Sequence, residues 1–146
     1  MSSGECNAVV YADPVKNVVA LAHLGWHATI HDLAAKVVSY LAEEYGSRPE
    51  DIRVYNSPSI RADSYQFTYL ENTKKTLWHN DPYASRQPDG TYAIDLVKYN
   101  VDQWVKAGII PEHIEIVDVD TAKSTDYPSH FAGETGRFAV LAMLKP

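Results

Sequence analysis

Apolar positions fall into short runs separated by turn residues, and their period switches between two and three to four along the chain. Asn7 to Ala12 reads as a strand, Asp13-Pro14-Val15-Lys16-Asn17 as a turn, and Val18 to His23 as a second strand. Pro fixes φ in that turn and Asn tolerates the left-handed region. The apolar run is nearly continuous on both sides of the turn, which predicts a hairpin buried on both faces. Leu24-Gly25-Trp26-His27 is the expected turn out of it. Thr29 then opens a helix, with Asp32 completing a capping-box-like pair. Ile30, Leu33, Ala34, Val37, Val38 and Leu41 form one apolar stripe at helical spacing. Tyr45-Gly46 ends it, with the glycine as the C-terminal cap.

Ile52 to Tyr55 is a short strand, followed by a turn at Ser57-Pro58-Ser59-Ile60. Residues 68–90 carry turn signals at Asn80-Asp81-Pro82 and Gln87-Pro88-Asp89-Gly90, so much of this stretch is expected as loop. Asp95 caps a second helix whose Val97, Val101, Trp104 and Val105 share a face, and Gly108 stops it. Ile114 to Val119 and Phe138 to Leu144 read as strands. Alternating strands and helices predict an α/β domain of layered mixed sheets, with residues 1–146 as one unit.

Composition narrows the setting. The chain has 146 residues, enough to bury a core without disulfides or a structural metal. A single cysteine cannot form an internal disulfide, which points to a reducing cytoplasm. No apolar run reaches the length of a membrane span, and the N-terminus lacks the pattern of a signal peptide. The formal charge is −6 with no basic run, so nucleic acid is not an expected partner. A small-molecule pocket remains compatible with that charge.

The chemistry-bearing residues cluster near the hairpin. With a turn near residues 14 to 16, positions whose numbers add to about 29 face each other in an antiparallel ladder, which pairs Cys6 with His23. Such a pair serves two chemistries. The imidazole can take the thiol proton to make a nucleophile, or both can ligate one zinc or copper ion. A packed free thiol beside a packed imidazole is the non-functional alternative. His23, His27 and His31 recur at intervals of four, but Gly25-Trp26 breaks the element between the first two, leaving His27 and His31 at a helix start. Arg137 follows a turn and suits bidentate capture of phosphate or carboxylate, or a surface ion pair. Asp118 and Asp120 alternate with valines at a strand end, and Trp78-His79 reads as a loop anchor or pocket wall.

The order of several segments resembles the YfiH-type laccase-domain family, also called polyphenol oxidase or peptidoglycan editing factor. Cys6, Tyr11-Ala12-Asp13-Pro14 and His23-Leu24-Gly25-Trp26 are similar to its Ala-Asp-Cys and His-Ala-Gly-Trp-Arg-Gly segments. Ser57-Pro58-Ser59-Ile60 with Ser64-Tyr65, then Asp95-Leu96, then Gly108 to Ile114 continue the match. Tyr127-Pro128-Ser129-His130 and Thr135-Gly136-Arg137 complete it. The resemblance implies a fold of stacked α/β layers related to cysteine hydrolases such as the cytotoxic necrotizing factor catalytic domain. It implies a His-Cys-His site for one zinc or copper ion, with Cys6 and His23 as two of its members. It implies an enzyme of purine nucleoside phosphorolysis with adenosine deamination, taking a purine nucleoside and phosphate. Multicopper oxidation is not expected from one Cys and six His.

The chain departs from the pattern in places. The family's third ligand, a His in an upstream Val-His-Gly motif, is expected to lie outside this sequence, as for a member lacking the N-terminal part. His27 stands for the family Arg, Glu5 for the Asp before the Cys, Ser57 for the Gly of the Gly-Pro turn, and Val119 or a neighbour for a later Cys. The site is therefore incomplete, completed by a partner chain or homo-oligomer, or rebuilt with His27 or His130. Three functions follow: the metal-dependent phosphorylase, a weakly catalytic binding or regulatory module or half of a split enzyme, and a metal-free hydrolase using Cys6 and His23.

Overall fold

The computed structural model describes residues 1–68 and 82–145. Its elements, in order, are β1 (Ser2–Ser3), β2 (Asn7–Asp13), β3 (Val18–Leu24), α1 (Trp26–Ile30), α2 (Leu33–Tyr45), β4 (Arg53–Asn56), β5 (Gln66–Phe67), β6 (Ala84–Arg86), β7 (Tyr92–Ile94), α3 (Leu96–Lys106), β8 (Ile114–Ile116) and β9 (Phe138–Ala139). Short 3-10 turns at Pro49–Asp51 and Pro111–His113 lead into β4 and β8. The main sheet has the order β3-β2-β4-β8, with the first two pairings antiparallel and β4–β8 parallel. β5-β7-β6 form a second sheet, and β1 and β9 a two-stranded one. Layered mixed sheets with helices are thus what the alternation predicted.

Val9, Tyr11, Leu24, Val38, Leu41, Val54, Trp104 and Ile109 make the main core, between the main sheet and α2 and α3. Trp104 is fully buried, and its indole N–H donates to the Tyr11 hydroxyl at 2.9 Å. That bond satisfies the one polar atom the large ring carries inside. Burial pushes the Tyr11 phenol up, and the Trp104 bond partly opposes the shift. A second cluster of Ile60, Tyr65, Ile94 and Leu96, with Trp26 and Ile30 against it, fills the space beside the first.

The hairpin departs from expectation in two ways. β3 is an edge strand, so Leu21 and His23 face solvent and only β2 is enclosed on both sides. The register pairs Asn7 with Leu24, Ala8 with His23 and Asp13 with Val18. Cys6 therefore comes opposite Gly25, and His23 is its diagonal neighbour on the same face. The cause lies in the turn. Asp13 Oδ1 accepts from the backbone N–H of Val15 at 2.8 Å and of Lys16 at 3.0 Å. Asn17 adopts φ 53°. The loop thus takes Pro14 to Asn17 in full and centres one position later than expected.

The helix expected from Thr29 is two helices. Trp26 and His27 lie inside α1, Thr29 is buried within it, and Asp32 sits at φ 58° with no side-chain cap. The break orphans backbone groups at both helix ends. Gln103 of α3 bridges the break: its Nε2 donates to the Thr29 carbonyl at 2.9 Å, which also accepts from Asp32 N–H at 3.0 Å, and its Oε1 accepts from the otherwise orphaned Ala35 N–H at 3.3 Å. The expected end is present, with Gly46 at φ 66° donating to the Ala42 carbonyl. Asp95 caps α3 by accepting from Lys98 N–H at 2.8 Å. The buried face of α3 is Leu96, Asn100, Gln103 and Trp104, whereas Val105 is exposed. β6 replaces part of the loop expected over residues 68–90, and β7 follows it. β8 and β9 are shorter than expected, ending at Ile116 and Ala139.

Candidate functional site

Cys6 and His23 lie on the face of the hairpin turned away from the helices. Cys6 precedes β2 and is half-buried, and His23 is exposed on β3. They converge over Gly25. A Cβ placed on Gly25 would come within 3.1 Å of Cys6 Sγ and 3.8 Å of both His23 Nε2 and Cδ2. The backbone of Gly25 is extended (φ −77°, ψ 178°), so any pressure for glycine here comes from space and not from conformation. Thiol and imidazole thus both border the position that a side chain on residue 25 would take.

The surroundings of Cys6 come from four separate parts of the chain. Its thiol is pushed up to about 11, first by burial and then by the charge of Glu5, with Arg137 opposing. A free thiol there is neutral at pH 7. Tyr65, 6% exposed, is also pushed up, by burial and by the charges of Cys6 and Glu5. Arg137 lies across Gly4, where a Cβ would meet its side chain at 3.1 Å. Its Nη1 donates to the carbonyls of Thr135 at 3.2 Å and Gly136 at 2.6 Å. Glu5 Oε2 accepts from the Phe131 N–H in a short bond and from Ser129 Oγ at 3.4 Å.

The remaining expected residues are dispersed. His27 is exposed in α1 and stacks on Trp26, with ring centroids 3.4 Å apart. His130 is exposed in the turn that bears Phe131, and His31 is exposed at the end of α1. Among the described residues no group of three His, Cys, Asp or Glu side chains is arranged to hold a metal ion. Asp120 accepts from Ser64 Oγ at 2.6 Å and from Arg61 N–H at 3.3 Å, so it braces a loop. Asp95 is a helix cap, as read. Trp78-His79 lies outside the described residues. Sequence reasoning missed the contacts of Glu5, and also a ring cluster in which Tyr65, Phe67 and Phe131 meet edge to face at 4.8 to 5.6 Å. Glu5 beside the only cysteine was the available signal. Its partners, more than a hundred positions away, leave no periodic trace.

A hollow of about 440 Å³ between α2 and α3 is lined by Asp32, Ser39, Tyr83, Asp102 and Gln103, and it includes neither Cys6 nor His23. Of its two carboxylates, Asp102 is already engaged, since its Oδ2 accepts from Tyr83 Oη and Lys98 Nζ, both at 2.7 Å. Volume and chemistry therefore point to different places. The convergence of unlike donors over Gly25 is the more specific feature.

Residues 1–145 match the family described as multi-copper polyphenol oxidoreductase laccase. The chain belongs to this family. It is 28% identical over 138 residues to the purine nucleoside phosphorylase YlmD of Bacillus subtilis, covering 91% of this chain and 50% of that protein. It is 31% identical over 112 residues to the purine nucleoside phosphorylase LACC1 of Mus musculus, covering 76% of this chain and 26% of that protein. The crystal structure of the Bacillus licheniformis hypothetical protein YfiH superposes with a TM-score of 0.81 at 29% identity, over 93% of this chain and 53% of that one. The mixed α/β architecture is thus the laccase-domain fold, and the chain spans about half the length of these bacterial relatives. No helix among the described residues is long and apolar enough to cross a membrane.

Proposed function

We propose that this chain carries the ligand-bearing part of a purine nucleoside phosphorylase site. The observation that carries the reading is the convergence of Cys6 Sγ and His23 Nε2 over Gly25 in a chain related to proteins of that name. Thiolate and imidazole are donors that suit zinc or copper, and the glycine puts no side chain between them. Cys6 and His23 would hold that ion. When bound, it supplies Lewis-acid activation of an oxygen nucleophile. Binding requires Cys6 to lose the proton that burial otherwise keeps on it, so metal affinity rises with pH. Arg137, close enough to stabilise the Cys6 thiolate, has the planar donor fork that binds phosphate. In phosphorolysis a phosphate oxygen forms the new bond to the ribose anomeric carbon. The glycosidic bond breaks, and the base leaves with a proton.

Two donors leave the coordination open. The half-length match favours a second reading within the first, in which a further segment or a partner chain supplies the next ligand. His27 and His130 are the donors within this chain that would otherwise serve. A metal-free hydrolase is disfavoured, because a thiol held near 11 is not an activated nucleophile at neutral pH. The test is to load the purified chain with zinc or copper and incubate it with adenosine or inosine plus phosphate. Free base and ribose phosphate are expected, and their formation is lost in Cys6→Ala. Failure to take up either metal, or full activity in Cys6→Ala, would sink the proposal, and a metal-loaded chain that releases no base would favour completion by a further segment or a partner chain. Release of inosine from adenosine would assign deamination to the same site.

A further inference from the structure

We propose that Phe131 is the platform on which the purine base stacks, and that Glu5 is the positioning residue that holds Phe131 beside the Cys6 site. The inference rests on the nucleoside reading of that site and names a recognition element for it. Glu5 is joined to Cys6 in sequence, and its carbonyl accepts from Ile60 N–H at 2.8 Å. Its carboxylate reaches the opposite end of the chain, accepting from Phe131 N–H and Ser129 Oγ. The loop it holds is braced internally. Ser129 N–H donates to Glu134 Oε2 at 2.7 Å, Glu134 N–H returns to the Ser129 carbonyl at 3.0 Å, and Gly133 N–H reaches the His130 carbonyl at 2.9 Å. Phe131 stands at the tip of this rigid loop, fixed by a charge-assisted bond to the cysteine-bearing segment.

The ring itself is treated unlike a core ring. Its neighbours Tyr65 and Phe67 meet it at 5.2 and 5.6 Å with interplanar angles of 61° and 68°. Tyr65 is buried, yet Phe131 stays 39% exposed. A loop anchor would gain by burying that surface. Here Glu5 holds the backbone and two rings pack against Phe131, while more than a third of the residue stays open to solvent. Base–aromatic stacking uses an exposed ring and tolerates either purine. Tyr65 links the two halves of the site, since it touches Phe131 and lies close enough to Cys6 to feel its charge.

The experiment compares adenosine and inosine binding and turnover by the zinc-loaded full chain and its variants. Phe131→Leu keeps apolar bulk and removes the π face. It is expected to weaken nucleoside binding and raise nucleoside KM about tenfold, with kcat and zinc content near those of the wild type. Phe131→Tyr is expected to restore wild-type binding. Glu5→Ala should raise KM to the same extent, and Phe131→Leu should add nothing on top of it. Saturation transfer from aromatic protein protons to the purine ring protons should be strong in the wild type and reduced in Phe131→Leu. Unchanged nucleoside affinity in Phe131→Leu, or additive effects of the two substitutions, overturns this inference while leaving the nucleoside reading intact. Absence of nucleoside binding by the wild-type chain overturns both.

Discussion

The helix-covered face of the main sheet and its opposite, Cys6-bearing face are built by different means. On the first, Val9, Tyr11, Leu24, Val38, Leu41 and Trp104 interlock, and the hydrogen bond of Trp104 to Tyr11 closes the core. On the second, the site depends on contacts between distant segments: Glu5 with the 129–131 turn, Arg137 across Gly4, and Tyr65 against Phe131. The adjoining C-terminal stretch pairs through the two residues of β9 and reciprocal bonds between Val140 and Met1, and beyond them Leu141 and Met143 are 86% and 83% exposed. The difference separates stability from chemistry. The periodic, apolar face sets the fold, and the irregular face holds the thiol, the imidazole and the open glycine.

Substitutions can break that contrast. Trp104→Ala should cost about 3–5 kcal/mol in urea unfolding, from lost burial and the lost donor to the Tyr11 hydroxyl. A value under about 1 kcal/mol would mean the core does not carry the stability. Alkylation of Cys6 in metal-free protein at pH 7.5 should run about 100-fold slower than for an ordinary exposed thiol, and the rate should climb with pH until about 11. The folded-state value lies above the ordinary 9.0, so the contribution of the neutral thiol to stability is fully present below pH 9.0 and fades as pH rises through about 11. Fast alkylation at neutral pH would revive the activated-nucleophile reading.

Gly25→Ala should cost about 1–3 kcal/mol, since the new methyl crowds Cys6 Sγ. It should also lower zinc affinity, whereas an unaffected variant would show that the space over Gly25 is not the site. Leu141→Ser should change stability by less than about 0.5 kcal/mol, because its side chain is exposed. A larger loss would show that this stretch packs against something in solution.

Legibility in the sequence followed the same division. The two hairpin strands, the Gly46 cap and the Asp95 cap were readable because each is a local signal. The break at Asp32 was not, since it depends on Gln103 of a distant helix meeting Thr29 and Ala35. Val105 was misassigned to the buried face because polar Asn100 and Gln103 occupy it instead. Cys6 and His23 were found as a pair, but through a register two positions off for the partner of Cys6. Side-chain alternation kept them on one face, since a shift of two preserves the face and a shift of one would not. The resemblance to the laccase-domain family added the ligand reading, and neither spacing nor periodicity could have supplied it.

The most direct test of the central claim, that Cys6 and His23 hold one ion over Gly25, is a cobalt(II) titration of the metal-free chain followed by its absorption spectrum. A thiolate-to-metal charge-transfer band should saturate at one equivalent per chain, vanish in Cys6→Ser and weaken sharply in His23→Ala, while His31→Ala leaves it unchanged. No such band in the wild type, or a band that survives His23→Ala at full strength, would contradict the account.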